Sequence, residues 1–197
     1  MMQHLAGILT RPAVEWPKIA ARAHETRNLL YPAVLAALPA VAWYYGTTKV
    51  GWAVGDGETI RLTQTSAMRL IVLFYLAMVA SVGTIGAFIH WMAANYGARS
   101  TPMMGVTIAA YTATPLFSAG LSGFFPTLWF ALLVSIGAVS WSLYLLYTGI
   151  PVVMGVPQDR GFLFASAVVA VCLVILIAIM GASVILWDFG AAPEYTN

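Results

Sequence analysis

Few side chains in this sequence are of a type and spacing that could do chemistry, and most of those carry hydroxyls. Thr107, Tyr111, Thr114 and Ser118 recur at i, i+4, i+7 and i+11. On a helix that spacing places them along one face. Pro115 follows Thr114 and leaves the carbonyl of Tyr111, four residues back, without its helical donor. A second stripe runs through Gly137, Ser140, Tyr144 and Tyr147 or Thr148. If the two segments are antiparallel neighbours, the stripes meet in a polar seam. Such a seam either cements helix packing by hydrogen bonds or forms a groove for a lipid headgroup or small solute. His90 is the one ionisable side chain near the interior of an apolar stretch, so it is a functional suspect. It shares a helix face with Gly83 and Ala87, so a packing or interfacial role competes with a proton or ligand role.

Other chemistries lack their residues. His4, His24 and His90 stand in separate segments without a neighbouring cysteine, so no metal cluster is expected. No carboxylate falls inside an apolar run, so a catalytic acidic pair is not expected. Asp56 and Glu58 sit in a glycine-rich loop, and no phosphate-cradling or dinucleotide motif occurs. The single cysteine, Cys172, reads as a buried thiol in an apolar run. These residues give no enzyme and no cofactor.

The composition explains why polar groups are scarce. Of 197 residues, 61% are hydrophobic and 8% charged, whereas a soluble domain carries about 25% charged residues. That much apolar surface requires lipid as solvent. A span needs about 20 mainly apolar residues, and five stretches meet or approach this: 29–45, 70–91, 103–124, 127–150 and 162–187. The fold class is therefore an all-α polytopic membrane protein, a five-helix transmembrane bundle. Residues 1–28 form an N-terminal cytoplasmic interfacial segment, 29–187 the membrane domain, and 188–197 a short outer tail. Within the first segment Ile19 and Ala23 share a side, with Lys18, Arg22 and Glu25 on others. Trp16 is placed to anchor this segment at headgroup level. The first loop, residues 46–69, alternates Val50, Trp52, Val54, then Gly55-Asp56-Gly57, then Ile60 and Leu62. Glycine between period-2 flanks predicts a short β-hairpin over the outer mouth, with an ordinary loop as the alternative.

Lys and Arg divide six against three: Arg11, Lys18, Arg22, Arg27, Arg99 and Arg160 on one side, Lys49, Arg61 and Arg69 on the other. The positive-inside rule places the N-terminus in the cytoplasm and the C-terminus outside. The net charge is only +2 and forms no basic stripe of the kind that tracks a phosphate backbone, so nucleic acid is not a partner. Membrane lipids are the expected partners, with a homo-oligomer or a membrane-protein partner as further alternatives.

Taken together, several segments resemble the Yip family of five-span membrane proteins, in its bacterial inner-membrane branch of unknown function. They are Pro12 with Trp16, Gly46-Thr47-Thr48-Lys49-Val50-Gly51-Trp52, Gly55-Asp56-Gly57, Tyr111-Thr112-Ala113-Thr114-Pro115-Leu116-Phe117, and Tyr144-Leu145-Leu146-Tyr147-Thr148-Gly149-Ile150-Pro151. The resemblance implies five spans, a cytoplasmic N-terminus and no enzymatic activity. Eukaryotic relatives take part in vesicle traffic and contact Rab GTPases. The N-terminal segment here is short, so that contact does not carry over. The two functions that follow are a non-catalytic organiser of lipids or partner proteins and a small transporter or lipid mover using the seam between spans three and four.

The charge split makes a direct prediction. Single cysteines beside Arg99 or Arg160 should react with an impermeant thiol reagent only from the cytoplasmic side, and one beside Asp56 only from outside. The reverse labelling pattern would overturn the orientation.

Overall fold

The computed structural model describes residues 3–53 and 59–196. Helices α1 (Gln3–Thr10) and α2 (Pro12–Ala20) lead through a tight turn, Thr26–Leu29, into α3 (Leu30–Tyr45), which ends in a wider turn, Gly46–Val50. A two-residue strand β1 (Arg61–Leu62) precedes α4 (Gln64–Ala93). Then come α5 (Pro102–Thr112), α6 (Thr114–Ala119), α7 (Leu128–Met154), α8 (Gln158–Leu186) and strand β2 (Tyr195–Thr196). Five segments are long and apolar enough to cross a membrane: Thr26–Val50, Gln64–Tyr96, Pro102–Phe124, Leu128–Met154 and Gln158–Gly190. Each matches an expected stretch, and most run further. At 1.5 Å per residue α4 is about 45 Å long, more than the roughly 30 Å of hydrocarbon, so its ends stand outside the apolar layer.

Local chemistry sets the breaks. Thr63 caps α4 by accepting from the Ser66 amide at 3.2 Å, and Thr101 caps α5 by accepting from Met104 at 3.3 Å, with Pro102 in the first turn. The third span is two helices because Pro115 cannot donate to Tyr111 and crowds Thr114. Helix α7 stops at Gly155, whose φ of 63° is left-handed.

Lipid gives helices no hydrophobic reason to associate, so close backbone approach must supply the attraction. One such close approach is between α4 and α5. A Cβ on Gly105 would lie 2.1 Å from the carbonyl oxygen of Gly86, and one on Gly86 would lie 2.6 Å from the Cα of Val106. The contact face of α4 is thus Val82, Gly86, Ile89 and Ala93, all buried. Gly83 and Ala87, expected on that face, are exposed. They lie one residue round from the line that meets α5.

The N-terminal segment packs against the bundle. Trp16 is 1% exposed and belongs to the core with Ile8, Ile19 and Ala23. Its indole occupies the space a side chain at Gly149 would need, 2.4 Å from where that Cβ would stand, and its Nε1 donates to Thr148 Oγ1 at 3.2 Å. The expectation of a headgroup-level tryptophan fails because α7 offers both a side-chain-free notch and a hydroxyl acceptor.

At the opposite end Trp52 and Ile60 exchange both backbone hydrogen bonds, at 3.0 and 2.8 Å, as one antiparallel bridge. Gly55, Asp56 and Gly57 lie outside the described residues. The alternation does not begin at Val50, which ends a helical turn continuous with α3. Strand β1 takes the C-terminal tail as its partner, with Arg61 opposite Thr196 and Leu62 opposite Tyr195. Glu194 donates its amide to Ser66 Oγ at 3.0 Å, and Arg69 donates to the Gly190 carbonyl at 2.7 Å. The tail, expected as a simple extension, is stitched to the first loop because a lone bridge leaves backbone groups that need partners.

Replacing Gly105 by Leu should drive α4 and α5 apart and cost about 1–3 kcal/mol, the usual toll of overpacking. Gly83→Leu, on the exposed face, should leave the melting temperature in detergent within error of wild type.

Candidate functional site

The third-span stripe is buried and hydrogen-bonded, but its partners come from the N-terminal segment and α3. Thr107 and Thr114 are fully buried and Tyr111 is 3% exposed. Thr107 Oγ1 donates to the Ala23 carbonyl at 2.9 Å and accepts from Asn28 Nδ2 at 3.0 Å. Asn28 Nδ2 also donates to the Arg22 carbonyl at 2.9 Å. Two hydrogen bonds therefore bolt the turn from Arg22 to Asn28 onto α5, and the third closes the turn on itself. Two helical turns further along the span, Thr114 Oγ1 and the Tyr31 hydroxyl lie 2.9 Å apart. The Tyr31 ring stacks on Tyr111 with centroids 4.5 Å apart and planes at 25°. Ser118 is half-buried and donates to the Thr114 carbonyl at 2.9 Å, so it closes on its own helix.

The fourth-span stripe faces elsewhere. Ser140 is exposed and donates to the Ile136 carbonyl at 2.9 Å. Tyr144 is 46% exposed and packs its ring on Trp141. The buried line of α7 is Ala138, Leu145 and Gly149, and Ser140 lies about 200° round the helix from Ala138. The expected seam between spans three and four is therefore not assembled. Tyr147 points to α8, its hydroxyl 2.9 Å from Ser166 Oγ, and Thr148 serves Trp16. His90 is half-buried at the end of α4, with Nδ1 3.1 Å from Ser100 Oγ in the following connection. That contact ties the helix end to its loop and brings no second ionisable group to His90.

Two flank concavities and one charged dent complete the picture. A groove of about 420 Å³ lies between α2, α7 and the start of α8, lined by Ala13, Trp16, Tyr144, Tyr147, Val152 and Gln158 among others. A second of about 410 Å³ is bounded by Leu9, Pro115, Ser118, Ala138 and Trp141. At the arginine-rich end Lys18, Arg22, Glu25, Arg27, Asn28 and Tyr111 surround a small dent open to the surface. Lys18 Nζ lies 2.7 Å from Glu15 Oε1, and Arg22 Nε lies 4.0 Å from Glu25 Oε1. Asn28 and Tyr31 were not marked by the sequence pattern. A lone amide on the threshold of the first apolar run was the available signal for Asn28.

This arrangement defines a polytopic helical membrane protein with basic side chains gathered at one end and two grooves along its sides. The Yip1 domain profile matches residues 6–179, and the chain is 35% identical over 192 residues to the inner membrane protein YohC of Escherichia coli K12, covering 96% of this chain and 98% of YohC. The same identity and coverage hold for YohC of E. coli O6:H1 strain CFT073. The chain belongs to the Yip family, as a multi-pass inner-membrane member. No solved structure matches it.

A double-mutant cycle on Tyr31→Phe and Thr114→Val should give a coupling of about 0.5–2 kcal/mol in thermal unfolding, the range for interhelical hydrogen bonds in membranes. Tyr144→Phe should leave stability unchanged, since its hydroxyl lies on the exposed flank.

Proposed function

We propose that this chain is a non-catalytic protein that organises lipids around the arginine-rich end of its bundle, with that end in the cytoplasm. The observation that supports it most is the groove between α2, α7 and α8. It opens on the side of the bundle, and it joins an apolar wall (Ala13, Val152) to hydroxyls and an amide (Tyr144, Tyr147, Gln158). An apolar wall with a few polar groups at one end suits an acyl chain entering beside its headgroup. Tyr144 and Trp141 belong on this surface for the same reason, since amphipathic rings are favoured at the interface. The acidic side chain on α2, Glu15, is engaged by Lys18 at 2.7 Å, which argues against an acid–base role for it. The transporter alternative needs the stripes of spans three and four to line one path, and Ser140 and Tyr144 turn away from it.

Ala13 is exposed and lines the groove, so Ala13→Trp should fill it without disturbing the core. Native mass spectrometry from nanodiscs should then count fewer retained lipids per protein than for wild type. An unchanged count in a folded variant would remove the support for this reading.

A further inference from the structure

The bolt formed by Asn28 and Thr107 has no evident work to do in the groove. It buries an amide and a hydroxyl and commits both Asn28 Nδ2 hydrogens to holding the turn that carries Arg22 and Arg27. We propose that this turn is a preorganised seat for a phosphate group of an anionic phospholipid headgroup, held by Arg22 and Arg27 with Lys18 at its edge; this rests on the lipid-organising reading and names the lipid's chemistry.

The charges favour a guest of that kind. Lys18, Arg22 and Arg27 line the dent with one carboxylate, Glu25, and Glu15 stands against Lys18, so one positive charge is left over. Lys18 is engaged by Glu15 at 2.7 Å. Arg22 touches Glu25 only at 4.0 Å, and both side chains are open to solvent, at 71% and 47%. An exposed pair of that kind contributes little and exchanges readily. Among the described residues Arg27 has no ion-pair partner. A guanidinium presents a rigid fork of donors that fits two phosphate oxygens at once, and charge-assisted bonds of this type are the strong ones. Because the backbone of the turn is fixed to α5 and floored by the Tyr31–Tyr111 stack, less ordering is needed when the guest arrives. Asn28 and Thr107 are positioning residues in this scheme, and the cations make the contact. The location suits a membrane-borne guest, since basic pockets at the end of a helical bundle are where acidic headgroups sit.

The test uses the full chain in nanodiscs of phosphatidylglycerol and phosphatidylcholine in equal amounts, with retained lipids identified by native mass spectrometry. Wild type should retain phosphatidylglycerol preferentially. Arg22→Gln and Arg27→Gln should each reduce that preference about fivefold, the amount one basic residue contributes near an anionic surface. Arg99→Gln, a cation removed elsewhere, should leave it unchanged. Thr107→Val should lower the preference by freeing the turn, a readout that mere loss of packing does not move; if it fails to fold, the two exposed arginines still decide. Soluble glycerol phosphate separates the sources: if it displaces phosphatidylglycerol, the seat takes a free phosphate ester and the lipid assignment is overturned, whereas persistence supports it. An equal loss in Arg99→Gln would mean a diffuse surface potential, and no preference in wild type would end the proposal. Ala13→Trp keeps the two readings apart. If it still lowers the lipid count while headgroup preference is absent, only the phosphate seat fails; if the count is unchanged, the broader reading fails.

Discussion

A hydroxyl or amide inside a bilayer has no water to turn to, so it must find a partner within the protein or on its own helix. Nearly every arrangement in this molecule follows from that constraint. Ser140, Ser166 and Ser118 take the cheapest solution and donate to the carbonyl of an earlier residue in the same helix. Thr107, Thr114, Thr148 and Tyr147 take the other and reach across to Asn28, Tyr31, Trp16 and Ser166. The second group fixes which helices are neighbours, because a cross-helix hydrogen bond is satisfied in one arrangement only.

Small residues then determine how close those neighbours come. Gly86 and Gly105 let α4 and α5 touch backbone to backbone, and Gly149 admits the Trp16 indole. These contacts replace the hydrophobic drive that lipid removes. They also convert the N-terminal segment from a surface attachment into a wall of the bundle. Once α2 lies against α7, a groove forms along their shared flank, and the basic residues that follow α2 are carried to the dent beside Tyr111. The groove between α2 and α7 thus follows from one tryptophan finding a notch.

The two ends of the bundle are built on different principles. At the arginine-rich end side chains make the long-range ties, through Asn28, Thr107 and His90 with Ser100. At the other end backbone pairing is added, through the Trp52–Ile60 bridge and the β1–β2 pair, beside side-chain ties from Ser66 and Arg69. A side-chain bolt leaves charged neighbours free to meet a ligand, whereas paired strands close a surface. The lipid-binding reading accordingly belongs to the first end.

What the sequence by itself determined is the number of spans, their order and which positions carry hydroxyls, because run length and composition alone decide whether a segment can enter lipid. It also marked Pro115 as a break and the turn-rich loop after the first span. Helical periodicity put Thr107, Tyr111 and Thr114 on one face correctly, since that spacing is a property of a single helix. It could not say what the face meets. The rotation of α7, which turns Ser140 and Tyr144 outward, depends on where Gly149 finds a bulky partner, and that partner lies 133 residues earlier at Trp16. The choice of Gly86 over Gly83 as the contact point and of the C-terminal tail as partner for β1 are of the same kind. Each is decided by which surface of a distant segment fits, and only the folded chain brings those surfaces together.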